Sequence, residues 1–280
     1  MPGNSKQTGK WQDRYGPWAL VTGASDGIGR EMAVDLARRG LNLVLVARRE
    51  AVLADLAASL SKQFSIETRV IAADLSDAAM VEHVLAATDD LDIGLLAAAA
   101  GYGLSGPALS SSRDGELNMI DVNCRAATAM TYALVPRLVA RGQGGIVLMG
   151  SLVGFQGTPR AANYAATKAY IQTLAEGLRH ELKPLGVDVI SSAPGPVRSG
   201  FADRADMKMG MAQSPRSVAR GTIRALGRKG TVRPGFLSRF LAASLATVPR
   251  AGRVRIMALI MGGMTSHQDD THSTKTEKTA

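Results

Sequence analysis

The sequence predicts an α/β fold: a doubly wound parallel sheet in a single domain, with helices on both faces. Short, almost wholly apolar runs recur at 19–21, 41–46, 69–72, 93–98, 145–149 and 187–191. Strands apolar on both sides belong in a parallel sheet covered by helices. Between the runs lie stretches with helical spacing, such as Met32, Ala33, Leu36 and Ala37. A chain of 280 residues with 46% apolar content can bury one large core. No internal repeat at a fixed period argues for an array.

Residues 1–16 are polar with scattered charges and lack the apolar core of a signal peptide. They form an N-terminal extension to a domain expected over 17–264. The first strand, 19–21, ends in Thr22-Gly23, and glycines recur at 27 and 29 before a helix. Such a turn removes side chains where a pyrophosphate approaches, and the helix N-terminus offers free N–H groups and a positive dipole end. An ordinary glycine-rich strand–helix turn is the plain competitor. The second strand ends at Ala47, with Arg48 and Arg49 behind it and no acid. Guanidinium groups there suit a ribose 2′-phosphate, whereas an acid would suit a free 2′-hydroxyl. Solvated charges at a helix start are the alternative.

The fifth strand ends at Ser151, thirteen residues before Tyr164, and Lys168 follows one helical turn later. Positions i and i+4 share a helix face, so the ammonium is expected to lower the phenol pKa toward neutrality. A phenol tuned in this way can exchange protons at neutral pH. Taken singly, Ser151 is a loop cap, Tyr164 a packed ring and Lys168 a surface charge.

Together these elements, over roughly 18–200, resemble the short-chain dehydrogenase/reductase family, whose cofactor loop reads Thr-Gly-x-x-x-Gly-x-Gly. The resemblance implies a Rossmann-type sheet and a catalytic set of Ser151, Tyr164, Lys168 and Asn123. Ser151 would hold the substrate oxygen, Tyr164 would exchange its proton, and Lys168 would tune the tyrosine and hold a nicotinamide ribose. Asn123 would position a water relay. The implied cofactor contacts are Gly23, Ser25, Gly27, Ile28 and Gly29 in the loop, and Arg48 and Arg49 after the second strand. Further along come Asp74 and Leu75 at the adenine, then Ala99, Ala100 and Gly101 after the fourth strand. Tyr164 and Lys168 join them, with Pro194, Gly195, Val197 and Ser199 beside the nicotinamide. NADP(H) is expected over NAD(H), and no metal.

Two features depart from the family pattern. Ala98-Ala-Ala-Gly101 stands where relatives carry an Asn pair, which puts cofactor affinity or local rigidity in question more than chemistry. The C-terminal part, an apolar-basic segment over 230–264, looks more like that of membrane-associated acyl and steroid reductases. From Met207 to Gln268 there are eleven Lys or Arg and no acid, with Arg216, Arg220, Arg224 and Arg228 on one helical stripe. A solvated basic face, steering of an anionic acyl substrate and docking on anionic lipid remain open. Nucleic acid is not an expected partner.

A lid is expected over 200–213, with Phe201, Met207, Met209 and Met211 as an apolar wall and Tyr102 and Leu104 opposite. The tail 265–280 is polar and expected to be disordered. The function expected is reduction of an apolar carbonyl, such as a 3-oxoacyl thioester or lipophilic ketone, or oxidation of the matching alcohol. A non-catalytic NADP-binding regulator and a lipid-surface protein are the alternatives. The single cysteine, Cys124, excludes an internal disulfide and is expected to be a buried small residue. A homodimer, cytoplasmic or peripheral at a membrane, completes the expectation.

Overall fold

The computed structural model describes residues 5–208 and 210–268. Helix α1 (Ser5–Tyr15) precedes β1 (Trp18–Thr22), α2 (Gly27–Arg38), β2 (Asn42–Ala47), α3 (Glu50–Phe64) and β3 (Thr68–Ala72). Then come α4 (Ala78–Ala86), β4 (Ile93–Ala98), α5 (Arg113–Ile120) and α6 (Ala127–Ala140). The second half runs β5 (Gly144–Met149), α7 (Ala162–Leu182), β6 (Val187–Ser192), α8 (Phe201–Arg204) and α9 (Pro215–Ala225). A two-residue strand β7 (Thr231–Val232) and helices α10 (Phe236–Ala246) and α11 (Arg250–Thr265) close it.

All pairings are parallel, in the order β3-β2-β1-β4-β5-β6-β7. The six expected strands are present, and β7 adds a short seventh at one edge. Strand alternation divides the core in two. Ala19, Val21, Leu43 and Leu45 face α2, α3 and α9, while Leu20, Val44 and Val46 face α4, α6 and α7. Burial on both faces is what the near-continuous apolar runs required. The order reverses between β1 and β4, so a crevice opens there at the carboxyl ends of the strands.

The N-terminal extension is part of this body. Tyr15 is buried, and its hydroxyl donates to Asp188 Oδ2 at 2.7 Å, where the Arg14 guanidinium also donates at 2.8 Å. Asp188 is itself buried in β6, so α1 supplies the partners of an internal carboxylate. Trp11 packs on Tyr15 at 4.5 Å and lies under Arg39 at 4.2 Å.

The C-terminal end differs from the expected disordered tail where that tail begins. Thr265 is buried, His267 pairs with Asp206 at 2.9 Å, and Gln268 donates to the Asp206 carbonyl at 2.8 Å. These contacts bind polar residues that composition alone marks as solvated. Residues 269–280 lie outside the described residues.

Removing the Tyr15 hydroxyl leaves Asp188 with Arg14 alone. Tyr15→Phe is expected to lower stability by about 1.5–3 kcal/mol, the range for a hydrogen bond to a charged group. Urea denaturation at neutral pH checks this.

Candidate active site

The site divides into a groove and a pocket that share Ile28, Ala99, Gly101, Ser199 and Phe201. The groove, about 430 Å³, lies across the carboxyl ends of β1, β2 and β4. Its floor depends on absent side chains. A Cβ on Gly23 (φ +66°) would stand 2.9 Å from the Ala100 backbone, and one on Gly29 would stand 2.3 Å from the Gly23 carbonyl oxygen. Asp26 precedes α2 without giving it a side-chain cap; its Oδ2 instead accepts from the Gly200 N–H at 3.2 Å. The amides of the first turn of α2 thus receive no side-chain oxygen from that position, and together with the glycines they form a place for an anion.

Gly23, Ser25, Gly27, Ile28, Arg48, Arg49, Asp74, Leu75, Ala99, Ala100, Gly101 and Ser199 all line this groove. Gly29 does not; it is buried behind the turn. Arg48 faces Asp74 at 3.8 Å, while Arg49 donates to Ser25 Oγ and O at 3.1 Å each. Ser25, expected as a direct cofactor contact, lines the groove and also accepts from Arg49. The Asp74 carboxyl is kept below the usual range because Ser76 hydrogen bonds and the Arg48 charge outweigh its burial.

Tyr164, Lys168, Ser151, Pro194, Gly195 and Val197 line the pocket, about 210 Å³. Tyr164 and Lys168 project from α7. Ser151, two residues beyond β5, accepts from the Val153 N–H at 3.4 Å and lines the pocket with Tyr164. Lys168 Nζ donates to the Met149 carbonyl at 2.8 Å and stands 5.7 Å from the Tyr164 ring centre. Asn123 sits in a widened helical turn, Asp121–Ala126, between α5 and α6. Such bulges aim a side chain off the regular helix face. Asn123 accepts from the Tyr102 N–H at 3.0 Å and donates to the Tyr102 carbonyl at 2.8 Å and to Thr167 at 3.1 Å. A Cβ on Gly101 would meet Asn123 Oδ1 at 2.9 Å and Lys168 Nζ at 3.3 Å, so both polar ends converge behind that glycine. Cys124, beside it, is buried.

One electrostatic expectation is reversed. Burial pushes the Tyr164 phenol up to about 12, with the Ser151 hydrogen bond pulling the other way. Burial also brings Lys168 down to about 8. Desolvation of both groups is the dominant cause, and helical spacing alone does not reveal it.

The wall residues also redistribute. Phe201 packs on Tyr164 at 5.3 Å and Met207 lines the pocket, but Met211 is 77% exposed. Met209 lies outside the described residues. Tyr102 turns to the groove, donating to Asn118 at 2.6 Å, and Leu104 lines neither cavity. The missing wall comes from the C-terminal helices: Leu241 and Leu245 of α10, and Met257, Ile260, Met261 and Met264 of α11. Leu241 and Leu245 stand at helical spacing in the sequence, which does not show the face they cover. Arg204, at the end of α8, also lines the groove and had no sequence signal.

This chain's residues 17–209 match the family model for short chain dehydrogenase. The chain belongs to the short-chain dehydrogenase/reductase family. It is 33% identical over 226 residues to a very-long-chain 3-oxoacyl-CoA reductase of Aspergillus clavatus, covering 77% of this chain and 63% of that protein. It is 31% identical to a 7beta-hydroxysteroid dehydrogenase of Clostridium sardiniense, covering 82% of this chain and 89% of that one. A short-chain dehydrogenase from Sphingobium yanoikuyae, solved in complex with NADPH, superposes with a TM-score of 0.74 at 32% identity. That match covers 82% of this chain and 93% of the other.

The depressed Lys168 pKa carries a stability signature. The folded value of about 8 lies below the 10.5 of a free lysine, so the unfolded chain binds the extra proton between them. Lys168 therefore destabilises the fold below about pH 8, and stability recovers as pH rises toward 10.5. Urea denaturation at pH 7.5 and 9.5 is expected to show part of this rise, roughly 2 kcal/mol, in the natural chain and not in Lys168→Met.

Proposed function

We propose that this oxidoreductase is NADP(H)-dependent and reduces an apolar carbonyl, or oxidises the matching alcohol, with Tyr164 as the proton donor. The observation that carries the reading is the meeting of Ser151, Tyr164 and Lys168 in a pocket whose other walls are apolar. Gly23, Gly27 and the first turn of α2 would hold the diphosphate, and Arg48 and Arg49 the 2′-phosphate. Asp74 and Leu75 would meet the adenine, and Ala99, Ala100 and Gly101 the sugars. Pro194, Gly195, Val197 and Ser199 would cradle the nicotinamide. When bound, the nicotinamide supplies or accepts the hydride.

The remaining work belongs to the chain. Ser151 donates to the carbonyl oxygen of the substrate, favouring the negative charge that grows there in the transition state. Tyr164, protonated at neutral pH because burial holds its pKa near 12, then donates its proton to that oxygen. Lys168 stabilises the phenolate left behind and holds the ribose. Asn123 fixes the 101–102 backbone and, beside Lys168, is the residue we assign to a water relay.

Met207, Leu245, Met257, Met261 and Met264 favour a long or broad apolar substrate. A 3-oxoacyl thioester and a lipophilic ketone both fit, and two of the relatives above are named as a 3-oxoacyl-CoA reductase and a hydroxysteroid dehydrogenase. The acid-free stretch 207–268 favours an anionic thioester. We assign the outer faces of α6 and α7, where Tyr132 and Tyr170 are exposed, to a homodimer. A lipid-surface role is favoured by one observation: Phe236, Phe240 and Leu259 are exposed on α10 and α11, beside Arg239 and Arg255. Among the described residues no helix is long and apolar enough to cross a membrane.

NADPH oxidation against medium- and long-chain 3-oxoacyl thioesters and steroid ketones tests the reading. Turnover is expected in at least one class, and Tyr164→Phe should lose about 100-fold or more while still binding NADPH. Arg48→Gln should reduce the preference for NADPH over NADH by about 10-fold. Full turnover by Tyr164→Phe would remove the assigned proton donor.

A further inference from the structure

We infer that Arg204 is a third arginine for the phosphates of the cofactor, delivered by the lid, so that nucleotide binding and closure over the substrate pocket are coupled. The inference rests on the NADP(H) reading above and adds a residue and a linkage to it.

The argument begins with the two ends of α8. Phe201, its first residue, lines both cavities and packs its ring against Tyr164. Arg204, one turn later, reaches the nucleotide groove. Its guanidinium lies stacked 3.7 Å over the Tyr102 ring. A single turn of helix thus touches the proposed proton donor at one end and the nucleotide groove at the other. Tyr102 is a firm platform: it is buried, its backbone is held on both sides by Asn123, and its hydroxyl donates to Asn118. Stacking on that platform holds the guanidinium at the wall of the groove.

Charge counting says what that partner is. Arg48, Arg49 and Arg204 line the groove against two acids, Asp26 and Asp74. Asp26 is occupied with the Gly200 N–H, and the single carboxylate of Asp74, 3.8 Å from Arg48, is shared between Arg48 and Arg204. Arg204 makes no ion pair among the described residues. Arg48 and Arg204 repel, and burial with that repulsion depresses the Arg204 pKa. An anion placed between the arginines relieves both costs, and planar guanidinium forks match phosphate oxygens.

The far part of the lid is tied away from the nucleotide groove. Ser105 Oγ donates to the Ala205 carbonyl at 2.6 Å, and the Lys208 N–H donates to the Met264 carbonyl at 2.9 Å. Asp26 holds its beginning, and Arg204 is the side chain through which α8 meets a charge on the cofactor. The chemistry shared by the candidates is phosphate, from either the diphosphate or the 2′ position.

The test uses the full chain, with NADPH and NADH titrations and amide hydrogen exchange over 200–208. In the natural chain NADPH is expected to slow exchange across the lid. Arg204→Gln is expected to weaken NADPH binding about 10-fold or more and to lose that protection even at saturating NADPH. Arg204→Lys should recover part of both, which separates a charge contact from a folding defect. Arg48→Gln, saturated with NADPH, should keep lid protection. Weakening confined to NADPH places Arg204 on the 2′-phosphate, and equal weakening for NADH places it on the diphosphate. Unchanged affinity for both nucleotides, with lid protection intact in Arg204→Gln, overturns the inference while leaving the cofactor reading standing. Failure of the natural chain to bind either nucleotide overturns both.

Discussion

The approach of backbone to backbone at the carboxyl ends of β1 and β4 is the constraint on which the rest of the molecule depends. Gly23 lies so close to Ala99 and Ala100 that any side chain would collide with main chain, and Gly29 lies as close to Gly23. Thr22 fastens the same junction by accepting from the Ala100 N–H at 3.0 Å. Because the two strands lead their following segments to opposite sides of the sheet, this junction is also where the crevice opens. The groove, the start of α2 and the Gly101 corner before Lys168 all take their positions from it. Ala98 and Ala99 keep that junction narrow without the amides of the family pattern, and Ala98 remains buried in the sheet.

What could be read in advance follows the range of the interactions. Strand positions and the glycine turn are local patterns, and the structure contains them at nearly the same residues. The i, i+4 relation of Tyr164 and Lys168 is equally local, and both side chains reach one pocket. The pKa of Tyr164 is not local. It depends on how much protein surrounds the phenol, and part of that cover comes from α10 and α11, far along the chain. The same reason explains why the pocket wall moved from Met211 and Leu104 to Met257, Met261 and Met264. Periodicity shows that a helix has an apolar face, but not which cavity that face closes.

Polar segments were the harder part to read. The N-terminal extension has little apolar content, yet Trp11 and Tyr15 are enough to dock α1, with Asp188 as a buried anchor. At the other end, His267 and Gln268 tie α11 to the lid through Asp206. Both terminal segments use a few charged or aromatic contacts across long sequence separations, which composition does not encode. One consequence is architectural: α11 walls the pocket and is bonded to the lid, so the substrate side of the site is assembled from three separated parts of the chain.

The measurement that bears most directly on this account is equilibrium binding of NADPH and NADH to the intact chain, followed by nucleotide fluorescence. The account predicts saturable binding of one nucleotide per chain, with NADPH tighter by about 10-fold or more, because charge-assisted contacts from Arg48 and Arg49 meet its 2′-phosphate. Equal affinity for the two nucleotides would contradict the roles given to those arginines. No saturable binding of either would contradict the reading of the glycine junction as a nucleotide groove, and with it the proposed chemistry at Tyr164.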